Sequence, residues 1–221
     1  MFITIEGIDG SGKSTVIELL KPNLHGWYCT KEPTDGFYGR KARDYIQLGD
    51  APEEALYRAW LFMLDREQHA KRLSFEIEQG HNVLCDRYLD STLAYSGAEL
   101  HAGHAEGFND LAQGMCYLYH MHPTGIPIPD RTFVLLVEPS ISLKRTQSRR
   151  RLSKYDSNRD FLRRVHSAYE VLSTMAGHRI ELIDTNGCRP QEVVDIILKR
   201  IRDLQTERPA TVTSEKIDVE A

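Results

Sequence analysis

The feature that most constrains this chain is a glycine-rich segment near its start. Residues 7–14 read GIDGSGKS and fit the pattern G-x-x-x-x-G-K-S/T. An apolar run typical of a buried strand, Phe2–Glu6, precedes the segment, and apolar residues at helical spacing follow it. In that context, glycines let backbone N–H groups turn toward phosphate oxygens, and the helix presents its positive end to them. The segment predicts binding of a nucleoside triphosphate.

Each part of this loop has a predicted contact. Lys13 would reach the outer phosphates, and the Ser14 hydroxyl would ligate Mg²⁺. The residues assigned to ATP within the loop are Gly7, Asp9, Gly10, Ser11, Gly12, Lys13, Ser14 and Thr15.

Strand-like and helix-like segments alternate along the chain. The predicted strands are Phe2–Glu6, 27–31, 82–86, 132–137 and 179–183, and the predicted helices are 38–48, 52–79, 91–100, 109–119, 140–148, Arg159–Met175 and 190–204. Such alternation predicts an α/β fold, a doubly wound five-stranded parallel sheet with helices on both faces. We expect one domain over 1–205 and a flexible tail over 206–221, where the apolar period disappears.

Composition excludes several classes of protein. The balance of 28 basic against 32 acidic residues argues against a general nucleic-acid binder. The apolar runs are too short to span a membrane, and no targeting segment precedes the first strand, so we expect a cytoplasmic protein. Four cysteines are widely spaced, and we expect reduced thiols, buried at Cys29 and Cys85 because both lie in predicted strands.

Two further signals narrow the class of phosphate-binding protein. The third strand ends in Asp86-Arg87. No N-K-x-D guanine motif occurs, which argues against a GTPase, and no pair of adjacent acids ends that strand, which argues against a motor-type ATPase. Asp86 would lie near the metal ion and Arg87 near the phosphate of a phosphorylated acceptor, because ligands bind at this edge of a parallel sheet. A basic segment, 148–154 (SRRRLSK), lies between two predicted helices. It predicts a lid over about 146–158 whose arginines would close on the transferred phosphoryl group.

Taken in order, these residues resemble the thymidylate kinase family. The matching segments are 7–15 (GIDGSGKST), 30–34 (TKEPT), 61–66 (LFMLDR), 86–88 (DRY), 91–97 (STLAYSG), 129–130 (PD), 143–145 (LKR) and the basic lid. The resemblance implies an ATP:dTMP phosphotransferase of the P-loop nucleoside monophosphate kinase fold that makes dTDP and ADP with Mg²⁺. It implies a small-molecule substrate and a homodimer.

The resemblance also implies the roles of individual residues. Phe62 would stack on the thymine ring, and Arg66, one turn later, would donate to thymine O4 and reject the amine of cytosine. Thr92 would meet the N3 edge, and Tyr95 would block a ribose 2′-hydroxyl. The full set predicted to contact dTMP is Asp9, Lys31, Phe62, Arg66, Arg87, Ser91, Thr92 and Tyr95.

The remaining assignments concern catalysis and the donor nucleotide. The predicted catalytic residues are Lys13, Arg87, Arg149, Arg150 and Arg151, and the last three are called the lid arginines below. Gly10 stands where some family members carry an arginine, so the sequence resembles the type whose catalytic arginines lie in the lid. Arg145 and Arg189 would contact ATP, and Ser14 and Asp86 would hold Mg²⁺.

Some residues depart from the family pattern or stay unassigned. Lys31 replaces the usual arginine before Glu-Pro and offers a point charge in place of a fork. His101, His104, His120 and His122 have spacings that can ligate zinc, but no cysteine or acid cluster completes a site, so helix-end or interface histidines are preferred. Two alternative functions stay open: a kinase for dUMP, a modified pyrimidine nucleotide or a deoxynucleoside, and a catalytically silent nucleotide-binding protein.

Overall fold

The computed structural model describes residues 1–46, 52–102, 110–146 and 158–207. The strands are β1 (Phe2–Glu6), β2 (Tyr28–Lys31), β3 (Val83–Asp86), β4 (Arg131–Leu136) and β5 (Ile180–Asp184). The helices are α1 (Lys13–Leu20), α2 (Phe37–Tyr45), α3 (Pro52–Glu78), α4 (Leu89–Ala102), α5 (Leu111–Met121), α6 (Pro139–Thr146), α7 (Arg159–Met175) and α8 (Pro190–Glu207).

The five strands form one parallel sheet in the order β2-β3-β1-β4-β5. All five residues of the central strand β1 are buried, because helices cover both faces of the sheet there. Ile3 and Ile5 pack with α1 and α8 on one face, whereas Phe2 packs with α3, α4, α5 and α7 on the other. The predicted five-stranded doubly wound fold is confirmed.

The prediction that Cys29 is buried was wrong, because of the position of its strand in the sheet. Cys85 in β3 is buried, but Cys29 is exposed, because β2 is the edge strand and its side chains alternate between half-buried and exposed. All four cysteines are free thiols.

The predicted tail and the predicted lid also differ in extent from the segments that the structure describes. Residues 206–207 continue α8, so the predicted tail begins inside the helix, and 208–221 lie outside the described residues. Most of the predicted lid, 147–157, lies outside them too, and the lid arginines with it. Within the described ranges, no helix has the length and apolarity needed to cross a lipid bilayer.

Candidate active site

The glycine-rich loop joins the carboxyl end of β1 to α1 and has the backbone form that its sequence predicts. Gly7, Gly10 and Gly12 all have positive φ, at 135°, 78° and 98°. A Cβ at Gly7 would lie 2.4 Å from the carbonyl oxygen of Leu135, and one at Gly10 would lie 2.8 Å from that of Ser142. Side chains are therefore excluded where the loop turns back on β4 and α6. This leaves a backbone cradle at the N-terminus of a helix, which suits phosphate.

Lys13 opens α1 and folds back over the loop. Its Nζ donates to the carbonyl oxygens of Gly7 at 2.8 Å and Ile8 at 3.0 Å. Burial, reinforced by the positive charge of Arg87 and opposed by nearby carboxylates, lowers the pKa of Lys13 to about 8. An incoming phosphate would supply the negative charge that favours the ammonium form.

Ser14 and Asp86 line a second depression beside the loop, with a volume of about 540 Å³. Asp86 is the last residue of β3 and pairs in register with Ile5 of β1, so the sheet brings its carboxylate beside the loop. Among the described atoms, Oδ1 of Asp86 is buried and has no hydrogen-bond partner. A carboxylate oxygen and a hydroxyl are donors that Mg²⁺ prefers, so these residues fit the predicted ion.

Arg87 follows β3 directly and has a positive φ of 65°, which is unusual for a residue with a side chain. Its Nη2 donates to Oδ1 of Asp9 at 2.7 Å, and its Nη1 donates to the carbonyl oxygen of Gly7 and the hydroxyl of Ser91, each at 3.1 Å. The guanidinium carbon also lies over the Tyr95 ring, 5.2 Å from its centroid, which is within the reach of a cation–π contact. Arg87 thus ties the phosphate-binding loop to α4.

Glu6 holds this segment in place, and sequence reasoning missed it. The carboxylate is fully buried and accepts from the backbone N–H groups of Tyr88 at 2.7 Å and Ser91 at 3.2 Å. It also accepts from the hydroxyls of Ser91 and Tyr169. Burial, reinforced by the negative charge of Asp90 and opposed by Arg87, raises the pKa of Glu6 to about 7. The available signal was an acid at the end of an otherwise apolar or uncharged buried strand.

A cleft with a volume of about 220 Å³ lies on the other side of Arg87, and we call it the Phe62 cleft. Seven of the eight residues predicted to contact dTMP line it: Asp9, Phe62, Arg66, Arg87, Ser91, Thr92 and Tyr95. Packing of α3 against α4 brings five of them together, and Arg87, just before α4, bonds Asp9 of the phosphate-binding loop. The cleft wall also includes Arg43, which donates to the carbonyl oxygens of Pro33 and Thr34 at 2.8 Å and which sequence reasoning missed.

Lys31 is the one predicted substrate residue outside that cleft. It lines the depression beside Asp86, its side chain is 60% exposed, and its Nζ lies 3.6 Å from Asp35. A long, exposed ammonium is free to reorient toward a phosphate near the end of the sheet. Its predicted contact with the acceptor stays a prediction.

Arg66 is a buried side chain of the Phe62 cleft, 1% exposed, and its two terminal nitrogens make three hydrogen bonds. Its Nη2 donates to Glu32 at 2.6 Å and to the Thr92 hydroxyl at 2.9 Å, and its Nη1 lies 2.7 Å from Nε2 of His122. The second oxygen of Glu32 bonds Nδ1 of His69 at 2.9 Å. Glu32 lies in the TKEPT motif and His69 lies one turn from Arg66, but sequence reasoning assigned neither residue a role.

The residues predicted to contact the donor nucleotide make fewer described contacts than those of the Phe62 cleft. Arg145 donates from α6 to the carbonyl oxygen of Gly10 at 3.1 Å. Arg189 is 81% exposed and pairs with Glu192 at 2.7 Å. Ser14 and Thr15 are exposed at the start of α1, open to a ligand over the loop.

Comparison with known proteins gives the family. Residues 5–197 match the family model described as Thymidylate kinase. A probable thymidylate kinase of Pyrobaculum aerophilum is 35% identical over 202 residues, covering 91% of this chain and 96% of that protein. A thymidylate kinase of Rickettsia typhi is 33% identical over 209 residues, with 90% and 96% covered. The solved structure of the Candida albicans thymidylate kinase superposes with a TM-score of 0.76 at 22% identity, over 94% of this chain and 93% of that one, which supports the fold. The chain belongs to the thymidylate kinase family.

Proposed function

We propose that this chain transfers the γ-phosphate of ATP to dTMP and forms dTDP and ADP. The observation that carries the proposal is Arg87, which bonds both to the phosphate-binding loop and to Asp9 and Ser91 in the Phe62 cleft. The Arg87 guanidinium therefore lies between a backbone cradle for the donor phosphates and a cleft whose size and lining suit a nucleoside.

Recognition of the acceptor follows from the walls of that cleft. Phe62 supplies a ring for stacking on the pyrimidine, and Arg66 supplies buried N–H donors that suit a carbonyl oxygen and oppose an exocyclic amine. Tyr95, held beneath Arg87, narrows the space on the sugar side and disfavours a 2′-hydroxyl. Arg87 and the mobile charge of Lys31 would grip the acceptor phosphate.

Transfer is proposed to be in line and to need no general base, because a phosphate monoester is already largely ionised at neutral pH. Lys13, Arg87 and the lid arginines would neutralise charge on the transferred group and exclude water. Ser14 and Asp86 would hold Mg²⁺, which supplies further positive charge to the donor phosphates when bound.

We also propose that the protein is a homodimer. Three half-exposed aromatic side chains, Tyr57, Trp60 and Phe75, lie within one narrow sector of α3 at helical spacing. Large exposed aromatic side chains on one side of a helix are typical of contacts between protein chains. Sedimentation of the wild-type protein beside a Trp60→Glu variant tests this: the dimer mass should fall toward the monomer mass in the variant.

The function is tested by ADP formation with ATP and Mg²⁺ against dTMP, dUMP, dCMP, ribose TMP and thymidine. We expect dTMP to be the best acceptor and dCMP and ribose TMP to be poor ones. A Lys13→Ala variant measures contaminating ATPase activity. A better rate with dUMP or thymidine would reassign the acceptor, and no transfer with any acceptor would favour a silent nucleotide-binding protein.

A further inference from the structure

His122 lies at the end of α5, outside the lining of the Phe62 cleft, and no role has yet been assigned to it. Its Nδ1 lies 2.7 Å from the carbonyl oxygen of Leu118, and its Nε2 lies 2.7 Å from Nη1 of Arg66. A carbonyl oxygen only accepts and a guanidinium only donates. Nδ1 therefore carries the proton, Nε2 accepts, and the ring is neutral.

The surroundings keep the ring in that state. Burial, reinforced by the positive charge of Arg66, lowers the pKa of His122 to about 4. A protonated ring would place an N–H group against the N–H group of Arg66.

The bond from His122 differs from the other two bonds that hold Arg66. Glu32 and Thr92 both accept from Nη2, so they fix one end of the guanidinium. His122 accepts from Nη1, the opposite end. Among the described residues, Nε of Arg66 is buried without a partner. With both ends held by residues from three different parts of the chain, the plane of the guanidinium is fixed and its remaining donors have one orientation.

We propose that His122 is a positioning residue for base selection: by accepting from Arg66, it fixes the donors that distinguish a carbonyl-bearing pyrimidine from an amine-bearing one. The inference rests on the proposed function, since it assumes that a pyrimidine nucleotide occupies the Phe62 cleft. His122 acts through Arg66 and does not itself contact the base.

Two substitutions separate the hydrogen bond from the space that the ring fills. In His122→Gln, the side-chain oxygen reaches the position of Nε2 and can still accept from Arg66. In His122→Asn, the shorter amide can still donate to Leu118 but does not reach Arg66. His120→Asn is the matched control, because His120 also bonds the carbonyl four residues earlier, at 2.8 Å from Cys116, yet it is exposed and has no contact with Arg66.

The experiment measures kcat and KM for dTMP and dCMP, and calorimetric binding of both nucleotides, for wild type and the three variants. A hydrogen bond to a charged group corresponds to roughly ten-fold or more in affinity. We expect His122→Asn to lower the preference for dTMP over dCMP by about ten-fold, mainly through KM, with kcat within about two-fold of wild type. His122→Gln should restore most of the preference, and His120→Asn should leave it unchanged.

Each outcome decides a separate question. An unchanged preference in a folded His122→Asn variant would overturn the inference, as would equal losses in the Gln and Asn variants, since His122 would then act only by filling space. A wild-type protein that binds dTMP but transfers no phosphate would refute the proposed function, and the binding ratios would still test His122. A wild-type protein that binds neither nucleotide would overturn both.

Discussion

Replacing Glu6 by glutamine tests how burial sets the charge beneath Arg87. The pKa of this carboxyl rises from an ordinary 4.5 to about 7 in the folded protein, chiefly because it is buried. The folded state therefore binds more protons than the unfolded state between those two values. The resulting stabilisation is complete below pH 4.5 and is lost as pH rises to about 7. Between pH 5 and pH 8, the loss should be about 2.5 kcal/mol of unfolding free energy.

Glutamine keeps the shape of the side chain and cannot ionise. Its oxygen can accept from the N–H groups of Tyr88 and Ser91, and its amide can donate to the hydroxyls of Ser91 and Tyr169, which are able to reverse their roles. The variant should therefore lack this part of the pH dependence and should gain on wild type as pH rises.

Urea unfolding at pH 5, 6, 7 and 8 measures the difference between the two proteins. The difference in unfolding free energy between the two proteins cancels titrations that both share. Glu78→Gln is the matched control, because Glu78 is an exposed acid at the end of α3. We expect the difference in unfolding free energy to change by about 2.5 kcal/mol in favour of Glu6→Gln across the range. A difference that stays constant with pH would refute the reasoning, because it would mean that the hydrogen-bond donors and Arg87 cancel the effect of burial on the pKa of Glu6.

Further predictions concern Lys13, the lid arginines, Tyr95 and the packing of Gly39 in α2. Lys13→Ala should abolish turnover. Because Lys13 has a pKa of about 8 and must be charged to bind phosphate, the ATP affinity of the wild-type protein should fall about ten-fold per pH unit above pH 8. Calorimetry measures this affinity, and an affinity that does not change with pH would contradict the prediction. Replacing all three lid arginines by alanine should lower kcat on the order of 10³-fold with little change in dTMP binding, and near-normal turnover would remove them from the mechanism. Tyr95→Ala should raise kcat/KM for ribose TMP relative to dTMP by about ten-fold, and an unchanged ratio would exclude it as the sugar-selecting residue. Gly39→Ala would place a Cβ 2.1 Å from the carbonyl oxygen of Thr34, so thermal unfolding should show a loss of about 2 kcal/mol, and a neutral result would mean that α2 shifts freely.

Features that depend on neighbours in sequence were predictable. The five strands were placed within one residue at each end, because their apolar runs and the helical periods between them are local patterns. The glycines of the phosphate-binding loop were identifiable for the same reason, since their left-handed backbone is a property of a few consecutive residues. Seven of the residues predicted to contact dTMP line one cleft, and their contact with dTMP stays a prediction.

Contacts between distant parts of the chain were not predictable. Arg66 meets Glu32 and His122 across 34 and 56 residues, and Glu6 meets Tyr88 across 82. No local period marks such partners, and His122 in the sequence is only one of several histidines near the end of a helix. The exposure of Cys29 was equally hidden, because a strand sequence does not state whether the strand is central or at an edge.

The sequence alone therefore determined the phosphate-binding loop, the α/β order and the residue types available to bind a nucleotide, because these follow from short-range patterns. Only the tertiary structure decided the charge state of Glu6, the tautomer of His122 and the fixed orientation of Arg66. Those properties arise from burial and from hydrogen bonds between elements, and both exist only once the chain has folded.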